Sequence, residues 1–164
     1  MVELGRKLPP ISSKPITSPG HSRVVSGGVF SSFVQPDSLY RVTVINEAWL
    51  AKAITNLPGA ELSTKPDWGA TILGVGGKQF GRYGTDTNGL KVITVKGEPL
   101  ENEALRQEFP EIVPGYYSNK KHWNSVHLDR MTFSEEQLGE MIAGSYALVF
   151  ASLTKALRTE ILDS

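Results

Sequence analysis

Between Ala60 and Lys96 the chain is cut into short extended pieces by turn chemistry. Pro66-Asp67, Gly76-Gly77 and Asp86-Thr87-Asn88-Gly89 separate segments of about 60–65, 70–75, 78–84 and 89–96 that are β-branched or alternating. Extended pieces this short, joined by tight turns, pair antiparallel with their neighbours in sequence. Such a meander buries one face, so the rest of the chain has to cover it.

The cover is written in a different period. Asn46 is placed as an N-cap, and Trp49, Leu50, Ala53, Ile54 and Leu57 share one helical face before Pro58-Gly59 stops the run. Leu100 to Phe109 predicts a second helix, with Leu100, Ala104, Leu105 and Phe109 on its apolar side, ended by Pro110. Ser134-Glu135-Glu136-Gln137 is a capping box. From Leu138 through Met141, Ile142, Ser145, Val149, Leu153 and Leu157 one long apolar stripe predicts a final helix to about residue 160.

Leu39 to Ile45 reads as a strand or extended lead-in, and Asn124 to Leu128 as one further strand. The fold class is α+β: a single domain over 39–164, an antiparallel β-sheet with helices packed on one face, in the order α, three or four strands, α, β, α. Residues 1–38 hold Pro9, Pro10, Pro15, Pro19 and Pro36 and no sustained period, and are expected to form a disordered or extended tail.

Composition removes several functions. Cysteine is absent, which excludes thiol nucleophiles and thiolate zinc sites, and no run approaches the ~18 apolar residues of a membrane span. A cytoplasmic protein without cofactor or metal, and with no membrane partner, is expected. The 17 basic and 17 acidic residues balance, so any polyanion must meet a local patch. Gly74 to Gly81 is glycine-rich, yet Ile72 and Gln79 break the phosphate-loop pattern and no helix follows.

The candidate site is Pro114 to Asp129. It sets Tyr116, Tyr117, Asn119, Lys120, Lys121, His122 and Trp123 close together behind a Pro-Gly turn. A loop so rich in large side chains either folds back on the core or presents a recognition surface.

Several residue blocks resemble the MmcQ/YjbR family. They are Leu57-Pro58-Gly59-Ala60, Asp67-Trp68, Phe109-Pro110, Pro114-Gly115-Tyr116, Ser145-Tyr146 with Leu153, and above all Asn119-Lys120-Lys121-His122-Trp123-Asn124-Ser125-Val126. The resemblance implies the small sheet-and-helix domain shared by YjbR-like proteins and type III secretion chaperones. It also implies the DNA-binding label commonly given to the family, and through one namesake an association with mitomycin resistance. Tyr117 and Ser118 depart from the His and Leu of many relatives, and the first forty residues have no counterpart.

Three classes of function follow. In the first, Lys120 and Lys121 contact DNA phosphates, His122 donates, and Tyr116, Tyr117 or Trp123 stacks on a base, with Lys78, Arg82, Lys91 and Lys96 extending the patch. The bland counterpart has Trp123 as a buried anchor, Asn119 as a turn former and the lysines as a solvated rim. In the second, Tyr116, Tyr117, Trp123, Trp68 and Phe80 line a groove for a planar small molecule, or a chaperone-like apolar patch binds a protein partner. In the third, His127 and Asp129, on one side of a strand, begin an acid–base or metal site. No third ligand accompanies that pair, and no catalysis is expected. A non-catalytic binding module with DNA as the leading partner is the resulting expectation.

Overall fold

Asn46 accepts a hydrogen bond from the Trp49 N–H at 2.9 Å and so begins α1 (Glu47–Ile54), placing Leu50 and Ile54 inward. The structure, a computed structural model, describes residues 43–164. The expected tail therefore lies outside the described residues, as does most of the strand expected over Leu39–Ile45. Its described part, 43–45, is not paired into the sheet.

After α1 comes β1 (Ala60–Lys65), a short 3-10 turn over Pro66–Trp68, then β2 (Ala70–Val75) and β3 (Lys78–Thr85). Gly76 and Gly77, at φ 56° and 77°, join β2 to β3 through a left-handed turn. A Cβ on Gly76 would also lie 2.8 Å from Leu153 Cδ1, so this turn tucks under the C-terminal helices. β4 (Lys91–Lys96) leads into α2 (Pro99–Glu108), β5 (Ile112–Pro114) and β6 (Trp123–His127). Ser134 caps α3 (Glu135–Ala151) with both halves of the capping box formed, and Thr154 caps α4 (Lys155–Asp163).

The six strands form one antiparallel sheet in the order β1-β2-β3-β4-β6-β5. From one face Leu73, Val75, Phe80, Ile93, Val95 and Val126 meet Leu138, Ile142, Tyr146 and Val149 of α3, and α1, α2 and α4 add side chains to that cluster. Phe80 and Tyr146 pack edge to face, 5.5 Å between centroids. Ser145 is buried among them because its hydroxyl donates to the Phe80 carbonyl while accepting the Lys96 N–H, tying α3 to β3 and β4. The α+β class and the covered sheet agree with the sequence.

Three details differ. The last helix is two: the apolar stripe continues through buried Leu153, but the backbone breaks at Ser152 and Thr154 starts afresh. α2 buries Asn102 and leaves Leu100 exposed, because its amide-bearing side meets backbone carbonyls described below. β5 is an additional strand of three residues, too short to show a period.

Candidate functional site

The pleat of β4 and β6 decides what the second face of the sheet carries. With Ile93, Val95 and Val126 in the core, the alternate residues Val92, Thr94, Ser125 and His127 point the other way. All four are buried. Thr94 Oγ1 and Ser125 Oγ lie 2.6 Å apart across the ladder, and Ser125 Oγ also accepts the Tyr116 N–H at 2.9 Å. The chain between β5 and β6 thus folds back over this face.

Gly115 allows the close return. A Cβ there would stand 2.7 Å from Trp123 Cβ, and its N–H donates to the Trp123 carbonyl. Tyr116 then reaches His127, with its hydroxyl 3.4 Å from Nε2 and the rings edge to face at 5.9 Å. On the other side of the imidazole, Nδ1 lies 3.8 Å from Asp86 Oδ2, beyond hydrogen-bond length and without another partner. Asp86 Oδ1 is occupied by the N–H groups of Asn88 and Leu90, so this carboxylate chiefly shapes the β3–β4 turn.

The pair expected between His127 and Asp129 does not form. His127 faces Asp86, and Asp129 is instead 4.0 Å from Arg130 on the exposed turn 128–130. The strand ends at His127, so the alternation that would align residue 129 with it no longer applies.

The candidate residues separate into three groups. Tyr116 and Trp123 are half-buried, and Trp123 is the first residue of β6 with Lys96 opposite it. Asn119 is a turn former: its side chain accepts the Lys121 N–H and its carbonyl accepts those of His122 and Trp123. Lys120, Lys121 and His122 are exposed, while their backbone is held from behind. Arg106 donates to the Lys120 carbonyl at 3.3 Å, Asn102 to that of Lys121 at 3.1 Å, and the Gly97 N–H to that of His122 at 2.9 Å. Asn102 and Arg106 also engage buried Asn124, completing a polar joint. Neither residue carries a sequence signal, since both sit in an acidic helical stretch.

Tyr117 stands apart. It is 71 % exposed, holds φ 56°, and has the Arg82 guanidinium carbon 5.0 Å from its ring centroid. A hollow of about 10 Å³ lies beneath, bordered by Arg82, Thr94, Tyr116 and Tyr117. Of the other cations proposed to extend the patch, Lys96 lies on this face by register. Lys78 instead bonds Ser152 at the end of α3, and Lys91 lies over the Tyr83 ring. Phe80 is wholly in the core, so it cannot line a groove with the tyrosines.

Glu111 underlies the same edge. Its carbonyl accepts the His127 N–H, and its carboxylate accepts both the N–H and hydroxyl of Thr132. Burial pushes the carboxyl up, but the Thr132 hydrogen bonds, its own backbone N–H and nearby Arg130 outweigh that and hold it below its ordinary value.

Comparison with known proteins gives this arrangement relatives. A family model described as YjbR matches residues 55–148. The uncharacterised Escherichia coli O157:H7 protein YbdF is 36% identical over 84 residues, 51% of this chain and 67% of its own length. The uncharacterised YjbR of Escherichia coli K12 is 32% identical over 89 residues, 54% of this chain and 74% of its own. A crystal structure of a Deinococcus radiodurans protein with a DUF419 domain superposes with a TM-score of 0.60 at 34% identity, covering 68% of this chain and 84% of that one. A Pseudomonas syringae protein shares the fold at a TM-score of 0.53 and 19% identity, covering 63% and 98%.

Proposed function

The chain belongs to the YjbR family, and from the placement of its basic loop on that fold we propose that it is a non-catalytic DNA-binding module. The observation that carries this reading is the β5–β6 loop, which exposes Lys120, Lys121 and His122 on a backbone fixed by Asn102, Arg106 and Gly97. Fixing the backbone removes much of the ordering cost that a mobile lysine loop would meet on binding. The side chains stay free to meet phosphates as point charges.

Charge is also segregated. Arg82, Lys96, Lys120 and Lys121 lie on the loop's side of the sheet, while Lys78 and Lys91 turn instead to Ser152 and Tyr83 and acids predominate on the helices. A chain of balanced charge can therefore offer a polyanion one favourable side. The acids of α2 limit how far a duplex could extend past the loop, which keeps the proposed contact small.

The other classes draw less support. Two hollows among the described residues, one beside Tyr117 and one beside Tyr83 and Lys91, measure about 10 and 90 Å³, well under the ~300 Å³ of an ordinary small-molecule site. Among the described residues the exposed large apolar side chains, Val44, Trp68, Leu90, Leu100, Tyr117 and Leu162, lie no more than one to an element, which lends little support to the patch a chaperone-like role requires. His127 is 4 % exposed and closed in by Tyr116 and Asp86, an arrangement suited to packing more than to turnover. Among the described residues no helix is long and apolar enough to cross a membrane.

The test is fluorescence anisotropy of a labelled duplex at several salt concentrations. Affinity is expected to fall linearly in log–log form, and Lys120→Glu with Lys121→Glu to lower the slope by about two contacts' worth at unchanged stability. A protein that binds no DNA at low salt, duplex or single-stranded, or a double variant that binds as well as the parent, would overturn the reading.

A further inference from the structure

The exposed ring of Tyr117 is not accounted for by phosphate contacts. Resting on the reading of this surface as a nucleic-acid site, we infer that its ligand is a single strand, with an unpaired base stacked on Tyr117 and the adjoining phosphates met by Arg82, Lys120 and Lys121.

Three observations lead there. Tyr117 occupies a left-handed backbone position, φ 56°, where side chains other than glycine are disfavoured. It nevertheless projects a large ring that is 71 % exposed. Burial does not explain a tyrosine at that place; a use for the exposed ring does. Second, Arg82 lies 5.0 Å from the ring centroid, so a cation borders one face and solvent meets most of the remainder. An aromatic ring with a guanidinium beside it offers a base a π-surface and its phosphates a positive charge.

Third, the hollow under the tyrosine, about 10 Å³, holds no more than about one water. A base cannot be inserted and read on its edges, so it must lie on the rim, where stacking tolerates any base. Bases in a duplex already stack on each other and present no free face along its length, whereas those of a single strand do. The same pairing of types recurs along the ladder. Trp123 and Lys96 face each other two residues beyond Ser125 and Thr94, roughly 7 Å further along the strands. The surface therefore supplies a second aromatic with a cation across from it.

The experiment compares a labelled oligothymidylate of about twelve nucleotides with a duplex of equal length, by anisotropy on the full chain. The parent protein is expected to hold the single strand more tightly than the duplex. Tyr117→Gly, which suits the backbone at φ 56° and so keeps the loop folded, should weaken single-strand binding about five-fold or more. Duplex binding should change less than about two-fold, and Tyr117→Phe should bind like the parent. Unchanged single-strand affinity in Tyr117→Gly, or a preference for duplex in the parent, would overturn the inference. In either case salt-dependent duplex binding lost in the Lys120→Glu, Lys121→Glu protein would leave the wider reading standing. Binding of neither nucleic acid would remove both.

Discussion

On the helix side of the sheet Leu73, Phe80, Ile93 and Val126 are buried against Leu138 and Ile142, and contact between apolar groups suffices. On the other side Thr94, Ser125, His127 and Asp86 are buried to a similar degree, but they meet one another and Tyr116 through polar atoms. The first face derives stability from area removed from water, which is large and undirected. Directed bonds dominate the second, and they set where the β5–β6 loop lies more than whether the chain folds. Damage to one face should therefore appear in global stability, and damage to the other in the loop.

Phe80→Ala should damage the apolar face most severely. The ring is fully buried and packs on Tyr146, so its loss should cost about 3–5 kcal/mol in urea unfolding. A much smaller loss would mean that the core can collapse around the gap, and that the covered face is less rigid than its packing implies.

Ser125→Ala is the matching test on the second face. It removes the acceptor of the Tyr116 N–H and the partner of Thr94, at an expected cost of about 1–3 kcal/mol. Its distinguishing result is local: hydrogen exchange at the Tyr116 amide should quicken by more than global stability accounts for. Uniform change across the sheet would argue against a separate role for the polar face.

Glu111→Gln probes the edge that joins the two faces, with a smaller effect that depends on pH. Because the folded carboxyl is held low, its contribution is present above the unfolded glutamate value of about 4.3 and is lost as pH falls through the lower folded value. Parent and variant should thus differ in urea midpoint at about pH 7 and converge at strongly acid pH. A difference that persists unchanged in acid would assign Glu111 a role in packing alone.

The two faces were also unequally legible in the sequence. β1 and β2 follow from turn chemistry between 60 and 77, and the caps at Asn46 and Ser134 mark their helices, because each signal is local. The break after Ala151 was hidden by an apolar stripe that continues through Leu153 even as the backbone restarts. Asp86 and His127 meet only through the register of β3, β4 and β6, 41 residues apart in the chain, and no spacing rule reports that. The loop block from Asn119 to Trp123 was conspicuous as a sequence. Its supports in α2 were not, since Asn102 and Arg106 matter for which carbonyls they reach.

Tyr117→Gly carries the smallest expected change in stability and the sharpest meaning. A left-handed tyrosine costs about 1–2 kcal/mol, which glycine relieves. Against that stand about 0.5–1 kcal/mol for the greater freedom of glycine in the unfolded chain. A further ~0.5–1 kcal/mol goes with the exposed contact to Arg82. The effects nearly cancel, so the urea midpoint should move by no more than the equivalent of about 0.5 kcal/mol. A loss beyond about 1.5 kcal/mol would show the ring to be part of the packing and withdraw it as a binding platform. A near-zero change together with weakened single-strand binding would place Tyr117 where folding needs no aromatic and a ligand does.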